Sequence, residues 1–174
     1  MSAEILQELI QRYPSARLTT TDQPLLAADF QAQKHKHFSR RALGGAVGIV
    51  QNAKGQIVLV KRSGMHPGWA LPGGTVEEGE DFSVAFSREI AEEIGISIDA
   101  PDLIELERKK FISPEGETID FILAVFEARM IDDELPEPTE DAVAEGLKVA
   151  LFDPTSIPSE MILGDRMKLK RYLS

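Results

Sequence analysis

The 174-residue chain contains no cysteine. Disulfides, thiol nucleophiles and Cys-ligated zinc are thereby excluded, and a reducing, cytoplasmic compartment is the expectation this absence favours. Basic residues are also in short supply: 19 Lys and Arg stand against 29 Asp and Glu, for a net charge of −10. A surface for duplex DNA or RNA relies on clustered cations opposite phosphate, so duplex nucleic acid is not an expected partner. Long apolar runs are missing too. The longest fall well short of the roughly 20 residues that span a bilayer, and MSAEILQELIQRY has acidic residues but no basic stretch ahead of an apolar core. Neither a membrane span nor a signal peptide is expected. His35 and His37 lack the further ligands that a zinc site would need.

What is present is an ordinary globular mixture, 43% apolar and 28% charged, at a length suited to one domain with its own core. Net acidity leaves a small phosphorylated substrate open, because a bound divalent cation reverses the local field of a carboxylate cluster.

Ile5, Leu6, Leu9 and Ile10 recur at helical spacing and predict a short amphipathic helix over residues 3–13, ending before Pro14. Leu25 to Phe30 reads as a second helical turn or an extended arm. Lys34-His35-Lys36-His37, followed by Arg40-Arg41, reads as a solvated linker; the alternative is that some of these cations meet substrate phosphates or the base end of a nucleotide. Residues 42–50 and 56–62 read as strands joined by a hairpin turn at Asn52-Ala53-Lys54-Gly55. Gly44, Gly45 and Gly48 inside the first strand point to close packing or to close approach of a ligand, packing being the commoner cause. Residues 63–68 read as a loop and Trp69 to Leu71 as a short strand. Further strands are expected over 103–112, 119–130 and 147–152, an acidic loop over 132–141, and a last helix from Ser159 to Tyr172. Strands on both sides of a central helix predict an α/β layered domain.

That central helix is the informative part. It follows Leu71-Pro72-Gly73-Gly74, with Asp81 or Ser83 as the candidate N-cap, Val84, Phe86, Ile90 and Ile94 as apolar anchors, and Gly95 as the C-cap. Glu89, Glu92 and Glu93 stand at i, i+3 and i+4, which puts three carboxylates on one side of the helix. Their mutual repulsion weakens an isolated helix. A hard divalent cation turns the same arrangement into a site, since Mg²⁺ and Mn²⁺ favour oxygen ligands. Taken alone, the triplet reads more readily as a solvated acidic face than as a metal site.

The whole string from Gly74 to Ile96 resembles the Nudix hydrolase signature: Gly74, five residues, Glu80, seven residues, Arg88-Glu89, aliphatic Ile90, one residue, Glu92-Glu93, one residue, Gly95, aliphatic Ile96. The resemblance implies the Nudix fold, a mixed β-sheet sandwiched between helices. Residues 1–40 are then an N-terminal extension packed on a domain of residues 41–174. It also implies hydrolysis of a nucleoside diphosphate derivative by attack of water on phosphorus, with Mg²⁺ or Mn²⁺. By the same resemblance Glu89, Glu92, Glu93 and the carbonyl of Gly74 are the expected metal ligands. Glu93 is the central one, and Glu89 doubles as a proton acceptor. Glu80 is expected to pair with Arg88, whose rigid fork braces the loop. Glu137, Glu140 and Glu145 are candidates for a base outside the signature, with Glu145 foremost. Lys148 stands where a second acidic residue is expected, which leaves the third metal site and the base open.

Arg41, Arg62 and Trp69 are the candidate substrate contacts, although packing is the commoner role for a lone tryptophan. Nucleoside triphosphates and ADP-ribose or a nucleotide sugar are equal choices of substrate. A catalytically weak nucleotide-binding or sensing module is the alternative function, and a structural interaction protein a third. Some members of the family dimerise, which leaves a homodimer open.

Overall fold

The computed structural model describes residues 2–39, 41–42, 44–63 and 68–174. In chain order the elements are α1 (Ser2–Arg12), β1 (Arg17–Pro24), α2 (Ala27–Ser39), β2 (Gly44–Gln51), β3 (Ile57–Lys61), β4 (Trp69–Ala70), β5 (Gly73–Val76), α3 (Phe82–Ile94), β6 (Asp102–Ile112), β7 (Thr118–Arg129), α4 (Glu140–Ala144), β8 (Lys148–Phe152) and α5 (Leu163–Leu173). They make a mixed sheet with flanking helices, the fold class expected from the sequence. No described helix is long and apolar enough to cross a membrane. Arg40 and most of the loop expected at 63–68 lie outside the described residues. The chain divides into two compact units, one of residues 1–47, 74–86 and 102–126, the other of residues 48–73, 87–101 and 127–174.

In the first unit β1 runs parallel to β6, in register from Arg17 opposite Glu105 to Pro24 opposite Ile112. This strand had no counterpart in the sequence reading. It is polar and largely exposed, RLTTTDQP, held at the end of the sheet by backbone pairing and its three threonines rather than by burial. Pro24 ends it, as suits a residue that cannot donate to a ladder. The basic segment read as a linker is helical instead. Residues 27–39 form α2, anchored by the fully buried Phe30 against Phe111 and Ile119.

Phe82, Ala85, Phe86, Ile90 and Ile94 are buried along α3, and Phe86 stacks on Phe126 with ring centroids 5.2 Å apart. Val84, expected as an anchor, is 58% exposed. It follows Phe82 by two residues, which turns it about 200° around the helix axis. Asp81 caps the helix: its Oδ1 accepts the N–H of Ser83 at 2.9 Å and the Ser83 hydroxyl at 2.6 Å, while its other oxygen pairs with Arg12 of α1. Burial pushes the Asp81 carboxyl up, but the bonds from Ser83 and Arg12 together hold it below its ordinary value. Such a group lends stability above its unfolded pKa and loses it as pH falls through the folded one. Asp81→Ala is therefore expected to cost about 1 kcal/mol at neutral pH. The gap should close as the solution is acidified below the ordinary carboxylate range, read by urea denaturation at a series of pH values.

In the second unit the strand order is β2–β3–β4, with β8 also paired to β3 from Ile57 opposite Phe152 to Lys61 opposite Lys148. The expected hairpin turn between β2 and β3 is present: Gly55 takes φ 77°, and the Asn52 Oδ1 accepts the N–H groups of Lys54 and Gln56. Gly95 closes α3 at φ 78°, with its N–H on the Ala91 carbonyl at 2.9 Å, as its C-cap reading requires. The acidic loop gives way to the short α4, capped by the hydroxyl of Thr139. The last helix starts at Leu163, later than expected, because the chain before it bridges from Met161 to Trp69.

Candidate active site

Glu93 lies on the last turn of α3 with its side chain only 10% exposed. One carboxylate oxygen pairs with Arg62 at the end of β3; the other accepts the N–H of Gly73 at 3.3 Å. Arg62 also donates to the Gly73 carbonyl at 3.2 Å, so Gly73 offers both of its backbone groups to this cluster. A φ of 145° makes that possible, a conformation open to glycine and strained for other residues. Burial pushes the Glu93 carboxyl above its ordinary value, against the pull of Arg62 and the Gly73 N–H, and the charge of Glu89 adds to the upward push. Burial thus outweighs the two partners in setting the direction of the shift.

Glu89 and Glu92 share a different cation. Arg88 donates to the Glu89 carboxylate at 2.8 Å and to Glu92 at 3.1 Å. Glu89 is largely sheltered, with 21% of its side chain exposed, whereas Glu92 reaches solvent at 63%. The three glutamates therefore occupy one helix as predicted, but their negative charge is divided between two guanidinium groups. Among the described residues no three acidic or imidazole groups converge closely enough to share a metal ion. In chemistry the donor set nevertheless fits a hard divalent cation. It comprises three carboxylates at i, i+3 and i+4, one of them mostly buried, beside the Gly73 carbonyl.

The other predicted residues have these places. Glu145 forms the C-cap of α4, and its carbonyl accepts the Ser63 hydroxyl at 3.0 Å. Its side chain is exposed, as are those of Glu137 and Glu140. A cavity of about 50 Å³ lies against Glu93 and is reached from α4 by Ala142, with the Glu145 carboxylate outside its lining. Trp69 packs edge-on against Phe152, centroids 4.8 Å apart. Gly74 stands in β5 within the first unit, where Glu80 accepts the N–H of Glu77 at 3.1 Å and Arg41 bonds to Glu78 at 2.8 Å.

The NUDIX domain model matches residues 42–171, three quarters of the chain and the whole of the acidic helix with its flanking strands. The chain belongs to the Nudix family. Over 91 residues it is 33% identical to Nudix hydrolase 7 of Arabidopsis thaliana, a match covering 51% of this chain and 32% of that protein. Over 48 residues it is 42% identical to an RNA pyrophosphohydrolase of Shewanella piezotolerans, covering 28% and 27% of the two. The matched stretches thus span about a third of these curated relatives' length. Among solved structures, a MutT protein from Bacillus halodurans superposes with a TM-score of 0.60 at 26% identity, covering 74% of this chain and 80% of that one. A MutT Nudix hydrolase from Burkholderia pseudomallei superposes at 0.54 with 23% identity, covering 85% and 97%, and supports the fold alone.

In this Nudix domain two participants escaped the sequence reading. Gly73 is one: the reading turned to Gly74, whereas both polar groups of Gly73 meet the Glu93 cluster. The second is the function of Arg62, considered only as a substrate contact. The doubled glycine was the available signal for the first; nothing local signals the second, because Arg62 and Glu93 are 31 residues apart.

Proposed function

We propose that this Nudix protein hydrolyses a diphosphate linkage in a nucleoside diphosphate derivative, with Mg²⁺ or Mn²⁺ held by Glu89, Glu92, Glu93 and a backbone carbonyl at Gly73-Gly74. The observation that carries the reading is Glu93, a mostly buried carboxylate at the centre of a complete acidic signature, beside the Gly73 backbone. When bound, the metal offsets the negative charge of the phosphate oxygens and of the leaving group and makes a bound water easier to deprotonate. The chain's own residues do the rest. Arg88 holds Glu89 and Glu92 in place through charge-assisted bonds. Glu89, sheltered and within reach of solvent, accepts the proton of the attacking water. The water oxygen forms a bond to phosphorus, the bridging P–O bond breaks, and the leaving phosphate takes the electron pair. Arg62, paired with Glu93 and half-exposed, lies beside this cluster as a cation for the anionic substrate.

The same reading treats residues 1–40 as an extension on a domain of residues 41–174, which the β1–β6 pairing supports. A cytoplasmic location accords with the lack of cysteine. Nucleoside triphosphates and ADP-ribose or nucleotide sugars remain equal candidates for the substrate. A panel of these compounds incubated with the protein and Mg²⁺ or Mn²⁺, with products weighed by mass spectrometry, tests the proposal. Cleavage between two phosphorus atoms is the expected result, abolished by chelation. Tight nucleotide binding with no product would instead identify a sensing module.

A further inference from the structure

The two backbone groups of Gly73 that meet Glu93 and Arg62 are held from outside the acidic signature. A glycine at φ 145° has wide conformational freedom, so the residues around it must aim its N–H and carbonyl. β4 leads into it and pairs with β3 along one edge, Ala70 opposite Val60. The other edge of β4 faces the chain that enters α5. There the Trp69 N–H donates to the Glu160 carbonyl at 2.8 Å, and the Trp69 carbonyl accepts from the Ile162 N–H at 2.9 Å.

Two residues on, Leu71 presents its N–H on that same side, as the alternation of an extended chain requires. The facing segment has turned away by then: α5 starts at Leu163, and helical carbonyls point along the helix. A side chain supplies the acceptor instead. Asp165, in the first turn of α5, places its Oδ2 3.0 Å from the Leu71 nitrogen. Leu71 is 1% exposed, so loss of that carboxylate leaves a buried N–H without its acceptor. Pro72 follows, its φ set by the ring and its carbonyl accepting the Gly48 N–H at 3.0 Å. Gly73 is thus reached through two residues held in place.

We infer that Asp165 is a positioning residue for the metal centre: through Leu71 it fixes the Gly73 backbone against Glu93, setting the centre before a cation arrives. What is positioned rests on the hydrolase reading; the anchoring itself does not. An aspartate in a first helical turn also stabilises its helix by charge, and this is the rival account of Asp165. That role needs the charge, whereas the bond to Leu71 needs only an oxygen. Asp165→Asn separates the two, since an amide keeps an acceptor oxygen and drops the charge.

Two measurements on the full chain test the inference: amide hydrogen exchange followed by NMR with a chelator present, and manganese binding followed by the free-ion paramagnetic resonance signal. Asp165→Ala should speed exchange at Leu71 and Gly73 about ten-fold, the scale of one lost hydrogen bond. It should also weaken manganese binding about ten-fold, as loss of the support behind metal ligands does. Asp165→Asn should keep wild-type values in both. Asp99→Ala removes a like bond elsewhere in the second unit, from the Arg129 N–H at 2.8 Å, and should change neither. Pro72→Gly loosens the span beyond Leu71 with α5 intact; it should weaken manganese binding as Asp165→Ala does, and keeps the test decisive where that variant folds poorly. Equal losses in Asp165→Ala and Asp165→Asn would assign the effect to helix charge and overturn the inference. Unchanged exchange in Asp165→Ala, wild-type manganese affinity in Asp165→Ala or Pro72→Gly, or a matching loss in Asp99→Ala would overturn it too. Faster Gly73 exchange in Asp165→Ala, with no manganese taken up by the wild type, would uphold the anchoring and sink the metal reading.

Discussion

Glu93→Gln is expected to lower turnover by about a thousand-fold while the protein stays folded. The loss corresponds to roughly 4 kcal/mol, the scale of the charge stabilisation a bound metal supplies to a transferring phosphoryl group. Glutamine keeps the shape of the side chain and an oxygen that can accept from Arg62 or Gly73, so packing around the end of α3 has no reason to change. The sign of the stability effect separates this from a folding defect. Because burial raises the Glu93 carboxyl, the folded state holds its proton more tightly than the unfolded state does. The carboxylate therefore costs stability, and the cost grows as pH rises from the ordinary glutamate value through the raised one. In the absence of divalent metal the variant should equal the wild type at acid pH and match or exceed it at neutral pH. Steady-state kinetics and thermal melts with a chelator, run over a pH series, read both effects. A variant that is inactive and also less stable at neutral pH would point to a structural role instead.

Gly44→Ala is expected to cost about 3 kcal/mol or more, within the upper range for overpacking a filled interior. A Cβ added at Gly44 would lie 2.1 Å from the carbonyl oxygen of Ile122 and 3.3 Å from the ring of Phe82. The first neighbour is backbone and cannot rotate away, so either β2 or β7 must shift. Gly45 is the control. There the added carbon meets only side chains, Leu123 at 3.1 Å and Phe121 at 3.2 Å, and a smaller loss follows. Urea denaturation of the two variants should separate them clearly; similar, small losses in both would show that β2 has room the structure denies it.

That pair of glycines illustrates what could be read from the chain. Three glycines in a strand-like run indicated close approach, leaving packing and ligand as alternatives, and Gly44 resolves to packing because its neighbours are a carbonyl and a phenylalanine ring. The acidic helix was legible because its chemistry fixes residue types at fixed spacings: Glu89, Glu92 and Glu93 on one side, Phe86, Ile90 and Ile94 on the other, and glycine at the end. β1 was illegible for the opposite reason. A polar, threonine-rich edge strand draws its stability from a partner some 90 residues away, Arg17 to Glu105 in the register, and carries no apolar alternation of its own. The helix α2 was obscured by its composition, since Phe30 is its only buried residue and lysines and histidines crowd its second half. Arg62 was visible as a cation but not as the partner of Glu93, because that pairing is made by the tertiary fold.

The central claim is that the α3 glutamates bind a divalent cation. Manganese titrated into the protein, with the free ion followed by electron paramagnetic resonance, tests it without reference to any substrate. Loss of the free-ion signal with the wild type, and a free-ion signal largely restored with Glu93→Gln, is the predicted result. Equal uptake by the two proteins, or none by the wild type, would contradict it.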